Sequence, residues 1–243
     1  MERTIRRDNR PYWLKKITTR AIARYVKHFL APQFKKLGRG AVFFKPRFIK
    51  LFGSNISVGN YSTFICAPDD YIQLTSWDSG DWNGEITIGD FALISPGVRI
   101  MAALDVTIGD ACMFGHGACI TDADWHGIYD RTRVVGEPKR VQLGQNVWVG
   151  EDAMICKGVQ IGDNSIIGAR SVVTKDVPPN TIYAGNPAVL VRSLDEAKFI
   201  TRKDFFSDPA KLVKDFDLLD RFTLGDNSFW SWLKSIFWRN KQH

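Results

Sequence analysis

The chain has 243 residues, 44% of them hydrophobic, and a net charge of +7. This length and composition suffice for a substantial buried core, and the sequence has no long apolar run that could cross a membrane. The first ten residues are mostly polar and charged, whereas a secretory signal peptide has an apolar centre. We therefore expect a cytoplasmic protein.

The positive charge is concentrated at the N-terminus. Residues 1–50 hold 15 Lys and Arg against two acidic residues, a net charge of +13. Residues 51–192 carry a net charge of −7, and residues 193–243 carry +1. These three segments are the predicted domains: a basic amphipathic helical arm, a repetitive central body, and a helical, aromatic tail.

An amphipathic helix is predicted within the N-terminal arm. Basic helices with aromatic residues on the apolar side bind anionic membrane surfaces. Packing on the central body or on a neighbouring subunit is the first interpretation and membrane contact is the alternative, whereas no nucleic-acid-binding motif supports a nucleic-acid partner. The apolar stripe consists of Trp13, Leu14, Ile17, Ala21, Tyr25 and Phe29.

The central body is built from a six-residue repeat, which is clearest between residues 143 and 178. An aliphatic residue opens most units and a small residue often follows it, a pattern typical of parallel β-helices. One six-residue strand cannot bury its apolar side alone, so successive rungs must stack into a continuous core. The unit-opening residues are Ile88, Ile94, Ile100, Ile108, Phe114, Ile120, Leu143, Val149, Ile155, Ile161, Ile167 and Val173.

The repeat predicts a triangular solenoid with three units to a turn. Residues 86–120 and 143–178 would supply roughly four turns. Val58 and Phe64 suggest a degenerate first rung, and residues 68–85 are irregular. Glycine is expected at corners where the backbone needs permissive dihedral angles. The corner glycines are Gly89, Gly109, Gly144, Gly162 and Gly168.

One long polar segment, the loop of residues 121–142, interrupts the repeat. A solenoid can expel such an insertion at one edge, and loops on a rigid scaffold commonly carry the chemistry. The loop contains His126 and several carboxylates, so it is the first place to look for an active site.

The tail, residues 193–243, is predicted to be helical and aromatic. Its apolar residues follow helical spacing, as they do in the N-terminal arm. The same two interpretations therefore apply, packing on the protein or contact with a membrane. The stripe consists of Phe229, Trp230, Leu233, Ile236 and Phe237.

None of the four cysteines belongs to a C-x-x-C pair. Cys112 and Cys119 fall inside repeat units, where small residues pack. We predict that all four are reduced and buried as small apolar side chains. The other two are Cys66 and Cys156.

Three segments resemble hexapeptide-repeat acyltransferases. Residues 161–192, which begin I-G-D-N-S-I-I-G-A-R-S-V and end N-P-A-V-L-V-R, resemble the C-terminal signature of that family. Residues 145–150, Q-N-V-W-V-G, resemble the preceding rung of its sugar O-acetyltransferase branch. Residues 122–131, D-A-D-W-H-G-I-Y-D-R, resemble the active-site loop of the branch that modifies cell-envelope polysaccharides.

The resemblance covers residues 86–192 and has consequences for both fold and assembly. It implies an all-β solenoid, a left-handed parallel β-helix, which here has N- and C-terminal helical extensions. It also implies a homotrimer in which acetyl-CoA lies between adjacent subunits. The handedness rests on the resemblance alone, because general rules favour right-handed crossovers.

Transfer of an acetyl group to a hydroxyl needs a base, and a neutral imidazole is well matched to that role at pH 7. His126 corresponds to the catalytic histidine of the resembling loop. His116, at an expected corner of the solenoid, is the alternative base. Asp122 and Asp124 are both close enough in sequence to orient His126, and the sequence does not distinguish between them.

The resemblance also assigns residues that bind acetyl-CoA, and no metal is expected. Trp148 would flank the acyl group and the pantetheine arm. The backbone N–H groups of Gly150 and Ala169 would face that arm. The nucleotide end would contact Thr174, Lys175 and Arg192, with the lysine suited to a phosphate.

We therefore expect an acetyl-CoA-dependent O-acetyltransferase that acts on a sugar hydroxyl in cell-surface polysaccharide biosynthesis. N-acetylation of an amino sugar is an alternative, because the same base and donor serve both reactions. A non-catalytic solenoid that serves in assembly or membrane docking is a second alternative. A zinc hydratase would need three converging imidazoles, and only His116 and His126 are suitably placed.

Overall fold

A computed structural model of the chain describes residues 8–78, 80–195 and 199–237. The chain forms two compact units. One contains Val26–Phe206, and the other combines the two ends, Met1–Tyr25 and Ser207–His243. The outermost parts of the predicted arm and tail, residues 1–7 and 238–243, lie outside the described residues.

The Val26–Phe206 unit contains three β-sheets, here called A, B and C, with strands numbered along the chain. Sheet A consists of β1 (Lys36–Leu37), β4 (Ile56–Val58), β7 (Glu85–Ile88), β10 (Asp105–Ile108), β13 (Val141–Leu143) and β16 (Gln160–Ile161). Sheet B consists of β2 (Val42–Phe44), β5 (Thr63–Ile65), β8 (Leu93–Ile94), β11 (Met113–Phe114), β14 (Trp148–Val149), β17 (Ile166–Ile167), β19 (Thr181–Gly185) and β20 (Ala188–Ser193). Sheet C consists of β3 (Ile49–Phe52), β6 (Ile72–Ser76), β9 (Arg99–Ala102), β12 (Cys119–Thr121), β15 (Met154–Ile155) and β18 (Val172–Val173).

Successive strands occupy sheets A, B and C in turn, and every third strand pairs in parallel with its predecessor. This is the topology of a three-sided parallel β-helix, so the predicted parallel arrangement is confirmed. The last two strands, β19 and β20, form an antiparallel hairpin that ends sheet B. The wide loop expected at residues 121–142 connects β12 to β13.

The core of the coil is the stack of residues that open the six-residue units. All twelve of these predicted residues are buried. Phe43, Phe64, Ile94 and Phe114 continue the stack along sheet B, and the rings of Phe43 and Phe64 lie parallel with centroids 4.5 Å apart. The four cysteines form no disulfide, and burial raises the pKa of Cys66 and Cys112 to about 12, which keeps both as thiols.

The coil begins at Lys36, whereas the sequence placed its start at residue 51. Residues 36–52 form strands β1 to β3, which pair with β4, β5 and β6. Their inward residues, Leu37, Phe43 and Leu51, pack on the core. Five basic residues lie between Lys36 and Lys50, and they obscure the alternation of inward and outward side chains that defines these strands.

The corner glycines are needed for close packing and not for unusual dihedral angles. None of the five predicted corner glycines has a positive φ. A Cβ atom on Gly89 would lie 2.4 Å from Asp110 Oδ1, and that oxygen accepts a hydrogen bond of 2.8 Å from the backbone N–H of Asp90. The positive φ angles occur two residues later, at Phe91 (61°) and Ala111 (60°). The expectation of permissive dihedral angles at these glycines is therefore wrong.

A short C-terminal extension completes the Val26–Phe206 unit. It contains helix α2 (Arg202–Phe205). The Arg202 guanidinium donates hydrogen bonds to the Phe91 carbonyl (2.7 Å) and to Thr63 Oγ1 (3.0 Å). The Phe206 ring stacks on Tyr61 and on Phe91, each at a centroid distance of 5.9 Å. These contacts fix the extension to the outside of the coil.

The unit formed by the two ends contains three helices, α1 (Tyr12–Tyr25), α3 (Pro209–Leu224) and α4 (Phe229–Phe237). Helices were predicted at both ends. Helix α1 is followed in the other unit by a π-helical turn, Val26–Leu30, and a 3-10 turn, Ala31–Gln33. A further 3-10 turn, Pro46–Phe48, precedes β3. Among the described residues, no helix is both long and apolar enough to span a bilayer.

Candidate active site

The expelled loop leaves the coil at the corner between sheets C and A. Two backbone hydrogen bonds close its base, from Lys139 N–H to the Asp122 carbonyl (2.7 Å) and from Gly136 N–H to the Asp124 carbonyl (2.7 Å). Beyond this base the loop reaches into solvent, and the Tyr129 side chain is fully exposed. The loop is therefore anchored at its stem and open at its tip.

Trp125 anchors the loop by packing against the preceding turns. Its ring contacts Trp77 at a centroid distance of 5.8 Å and joins a small apolar cluster with Ala103, Ala123 and Val135. The indole Nε1–H is buried and has no acceptor among the described residues. Trp125 therefore packs the loop against the coil.

His126 lies next to Trp125 and its side chain is exposed. The imidazole makes no hydrogen bond with any described residue. Neither of the two predicted orienting carboxylates, Asp122 and Asp124, forms a hydrogen bond with it. Because the ring is uncommitted, it is available to a molecule that binds beside the loop.

Asp122 is committed to the backbone of the preceding turn. Its buried carboxylate accepts hydrogen bonds of 2.7 Å from the N–H groups of Ala103, Leu104 and Asp105. Burial is the largest influence on this carboxyl and raises its pKa, although the three N–H donors oppose that effect. Both oxygens are thus hydrogen-bonded to the corner of the coil. The prediction that Asp122 orients His126 is therefore wrong.

Asp124 is bound by a lysine from the next turn of the coil. Lys157 Nζ lies 2.5 Å from Asp124 Oδ2 and donates a second hydrogen bond of 2.8 Å to the Glu137 carbonyl. The lysine thus links both sides of the loop stem to the corner that follows β15. Nothing in the sequence indicated Lys157, because it is 33 residues from Asp124 and becomes its neighbour only when the turns stack.

His116 is the other histidine close to the coil. Its Nε2 lies 2.7 Å from Asp70 Oδ2, and both side chains are about half exposed. The residue lies at the corner between sheets B and C, as expected from the repeat. Asp70 was not singled out from the sequence, since only the stacking of the turns brings it near His116.

Trp148 lies on β14 with its side chain directed out of the coil, where 48% of its surface is exposed. In sheet B its neighbours in register are Met113 and Ile166, which also face outward. These three side chains form an apolar strip on the outer face of sheet B. The role predicted for Trp148, beside the acyl group and the pantetheine arm, stays a prediction.

Gly150 and Ala169, the two small residues assigned to the pantetheine arm, differ in whether their backbone N–H is already hydrogen-bonded. The Gly150 N–H donates a 2.8 Å hydrogen bond to the Ile167 carbonyl, and the residue is buried. The prediction that this N–H faces the cofactor is therefore wrong, because the N–H is already bonded to the next turn of the coil. Ala169 is exposed, and its N–H has no partner in the described part of the chain.

The three residues assigned to the nucleotide end are all exposed. Thr174 and Lys175 directly follow β18, at the same corner between sheets C and A that carries the expelled loop. Arg192 lies on the terminal strand β20 of sheet B, opposite Ile182. Lys175 and Arg192 make no ion pair with described residues, which leaves both cations available.

The candidate residues therefore fall on two sides of the triangular coil. His126, Lys157 and Lys175 belong to the corner between sheets C and A, whereas Trp148 lies on sheet B, the side opposite that corner. One chain does not bring the imidazole and the indole together. No three His, Cys, Asp or Glu side chains within the described ranges are grouped as metal ligands would be.

Comparison with known proteins identifies the repeat. The family described as bacterial transferase hexapeptide (six repeats) matches residues 140–175. Residues 140–175 thus match the hexapeptide repeat of bacterial transferases. This confirms the resemblance inferred from residues 145–150 and 161–192.

The relatives include sugar acetyltransferases. Galactoside O-acetyltransferase from Escherichia coli strain K12 is 36% identical over 160 residues, which cover 63% of this chain and 62% of that protein. Galactoside O-acetyltransferase from Lactococcus lactis is 37% identical over 99 residues, 40% of this chain and 47% of that protein. The chain thus spans less than two thirds of the length of either relative.

A solved structure shows the same fold. AntD, an N-acyltransferase from Bacillus cereus in complex with dTDP and 3-hydroxybutyryl-CoA, matches with a TM-score of 0.56 and 16% identity. The match covers 79% of this chain and 96% of that chain. At this identity the likeness concerns the fold alone.

Proposed function

We propose that the protein is an acetyl-CoA-dependent O-acetyltransferase that acts on a sugar hydroxyl. The observation that carries this proposal is the uncommitted imidazole of His126, exposed on a loop that Trp125 and Lys157 brace against the coil. The similarity to galactoside O-acetyltransferases supports a sugar acceptor and transfer to oxygen. The resemblance of residues 122–131 supports an acceptor that belongs to a cell-surface polysaccharide.

In the proposed reaction His126 acts as general base. Acetyl-CoA supplies an acyl group that is already activated as a thioester. The neutral imidazole accepts the proton of the acceptor hydroxyl as its oxygen attacks the acyl carbon. The resulting imidazolium returns the proton to the departing sulfur, so the products are an acetyl ester and CoA with its thiol restored.

Exposed residues of the coil fit acetyl-CoA as the co-substrate. Met113, Trp148 and Ile166 provide an apolar strip for the acyl and pantetheine groups. Ala169 offers a free N–H donor, and Lys175 offers a cation for a phosphate. Arg192 is proposed to contact the nucleotide. Gly150 contributes by its small size, since a Cβ there would lie 2.7 Å from the Ala169 nitrogen.

The proposed site is completed by a second copy of the chain. Because the expelled loop and Trp148 lie on opposite sides of one coil, a complete site needs the loop of one copy beside sheet B of the next. Repetition of that contact closes a ring with cyclic symmetry. We infer a homotrimer, in which each coil winds left-handed, as the family resemblance implies.

A turnover assay with the purified protein tests the base. Release of CoA from acetyl-CoA is measured with candidate sugars as acceptors. His126→Ala is expected to lower kcat by at least about a hundredfold, the usual contribution of a general base. Tyr129→Ala, a change at a fully exposed position on the same loop, is the matched control and is expected to retain activity.

His116→Ala distinguishes the two imidazoles. Because His116 is paired with Asp70 at a different corner, this variant is expected to keep most of the activity. Loss of turnover in His116→Ala together with normal turnover in His126→Ala would show that the base has been misassigned.

The same assay separates the remaining functions. Parallel reactions with neutral sugars and amino sugars distinguish O-acetylation from N-acetylation. A non-catalytic solenoid should neither release CoA nor be stabilised by acetyl-CoA. Saturable stabilisation by acetyl-CoA in thermal unfolding is expected for the proposed enzyme, and its absence would favour the solenoid without activity.

A further inference from the structure

In the unit formed by the two chain ends, charged side chains join two of the helices. Helices α1 and α3 face each other through ion pairs, in which Lys16 contacts Asp217 and Lys15 Nζ lies 2.5 Å from Asp220. The Tyr12 hydroxyl donates a further hydrogen bond of 2.8 Å to Asp217. Polar groups therefore join these two helices. Amphipathic helices in water normally pack through their apolar faces instead.

Several large apolar side chains of the same helices point away from this interface. In α3, Leu218, Leu219 and Phe222 lie on the side of the helix opposite Asp217 and Asp220, and the Phe222 side chain is 87% exposed. In α1, Trp13 and Ile17 are about half exposed. Charged groups thus join α1 to α3, while several large apolar side chains of the unit are exposed.

Helix α4 extends this apolar surface. Phe229 packs on Trp13 at a centroid distance of 6.3 Å, which joins α4 to α1. Trp230 and Phe237 are 74% and 73% exposed and line an open groove with Leu233 and Lys234. With nine residues α4 is about 14 Å long, so it can lie on a bilayer but cannot cross one.

The net charge of the chain resides in this unit. Residues 1–25 and 207–243 hold 14 Lys and Arg against seven Asp and Glu, so residues 26–206 are neutral overall. Arg20, Arg24 and Lys234 make no ion pair with described residues. Asp215 lies on the outward side of α3, but residues 8–25 and 207–237 together hold nine Lys and Arg against six Asp. An apolar face with surplus positive charge complements an anionic lipid surface.

We propose that this unit, residues 8–25 and 207–237, docks the protein on the surface of an anionic membrane. Trp230, Phe237 and Phe222 enter the interfacial layer, while Arg20 and Arg24 contact lipid phosphates. The site on the coil is a separate feature, so docking does not depend on catalysis. It would hold the enzyme beside acceptors that are attached to lipid.

Vesicle flotation with the full chain tests the proposal. The protein is expected to float with phosphatidylcholine vesicles that contain phosphatidylglycerol, to bind pure phosphatidylcholine more weakly, and to be released by high salt. The double variant Trp230→Ser with Phe237→Ser should reduce vesicle partitioning at least about tenfold, because it removes two apolar groups that the bilayer would bury. Tyr129→Ser, a change at another exposed aromatic residue that lies on the expelled loop of the other unit, is the matched control.

A second variant tests the charge. Arg20→Gln with Arg24→Gln should reduce partitioning about tenfold or more, since each cation near an anionic surface is worth about fivefold. Arg131→Gln on the expelled loop with Arg170→Gln on the coil is the control and should partition like the wild type. Circular dichroism checks that each variant keeps its helices.

Two results would overturn the proposal. One is a wild-type protein that stays with the aqueous fraction whether or not phosphatidylglycerol is present. The other is a Trp230→Ser, Phe237→Ser variant that floats as well as the wild type. If vesicles do not bind the wild type but this variant dissociates in sedimentation analysis, the apolar face is an interface with a second copy.

Discussion

His116 and His126 differ in what their imidazole rings contact. The His116 ring is paired with Asp70 on the coil, whereas the His126 ring is free among the described residues and exposed on the loop. The sequence placed both residues correctly, at a corner and on the expelled loop. It could not predict their partners, because the carboxylates that neighbour His126 in sequence are bound elsewhere.

Asp122 and Asp124 show why sequence proximity misleads in a coil. The oxygens of Asp122 bind N–H groups of Ala103 to Asp105, and Asp124 binds Lys157. These partners are one turn away in space but 17 to 33 residues away along the chain. Such contacts depend on the length of each expelled loop, because that length determines which residues of adjacent turns lie next to each other.

Lys157 provides a prediction at the scale of single residues. Lys157→Met removes both hydrogen bonds that fix the stem of the loop. Looser positioning of His126 should lower kcat about tenfold or more, since small displacements of a catalytic group are costly. The KM for acetyl-CoA should change little. Steady-state kinetics of the purified variant provide the check.

Two further variants distinguish a loss of His126 positioning from a general loss of structure. Lys157→Arg keeps a donor at this site and should restore part of the activity. Lys139→Met, on the loop stem beside Gly158, removes a lysine whose side chain makes no ion pair among described residues and should be neutral. Normal kcat in Lys157→Met would mean that the contact does not position the base.

At the scale of elements, regular stretches of the coil were predictable and its first turns were not. The six-residue spacing between Leu143 and Val173 identified the inward residues of six consecutive strands, all of which are buried. The spacing fails near Phe43 and Leu51, where the connections are uneven and basic residues intervene. The glycine positions were predicted, but their cause is the close approach of the next turn.

The pairing of α1 with α3 predicts a pH dependence. The hydrogen bond from Lys16 has the largest effect on Asp217, and with the hydrogen bond from Tyr12 it lowers the pKa of this carboxyl to about 2. The ordinary value in an unfolded chain is about 3.9, so the pKa is lower in the folded state. The stabilisation from Asp217 is therefore complete above about pH 4 and is lost as the pH falls through about 2.

Carbon-detected NMR of the side-chain carboxyl measures this directly. The wild-type protein should show an Asp217 midpoint near pH 2, and Lys16→Met should move the midpoint upward toward the ordinary value. A wild-type midpoint near pH 4 would mean that the ion pair between the two helices is not maintained in solution.

At the scale of the whole molecule, chemistry and charge are divided between the two units. The neutral Val26–Phe206 unit carries every residue proposed for catalysis, and the unit of the two ends carries the surplus positive charge. The sequence predicted basic and aromatic ends, but it did not show that the two ends form one unit. Contacts such as Tyr12 with Asp217 span 205 residues and leave no local pattern in the sequence.

The central claim is that catalysis requires two copies, with His126 from one and Trp148 from the next. This follows from their placement on opposite sides of the coil. His126→Ala and Trp148→Ala should each be nearly inactive alone, since every site in either assembly lacks one partner. Wild-type subunits should sediment as a trimer.

Subunit mixing is the most direct test. When the two inactive variants are denatured, mixed in equal amounts and refolded together, about a quarter of the interfaces in a cyclic assembly combine an intact His126 with an intact Trp148. Release of CoA should then recover to about a quarter of the wild-type rate. A mixture no more active than the separately refolded variants would contradict the shared site.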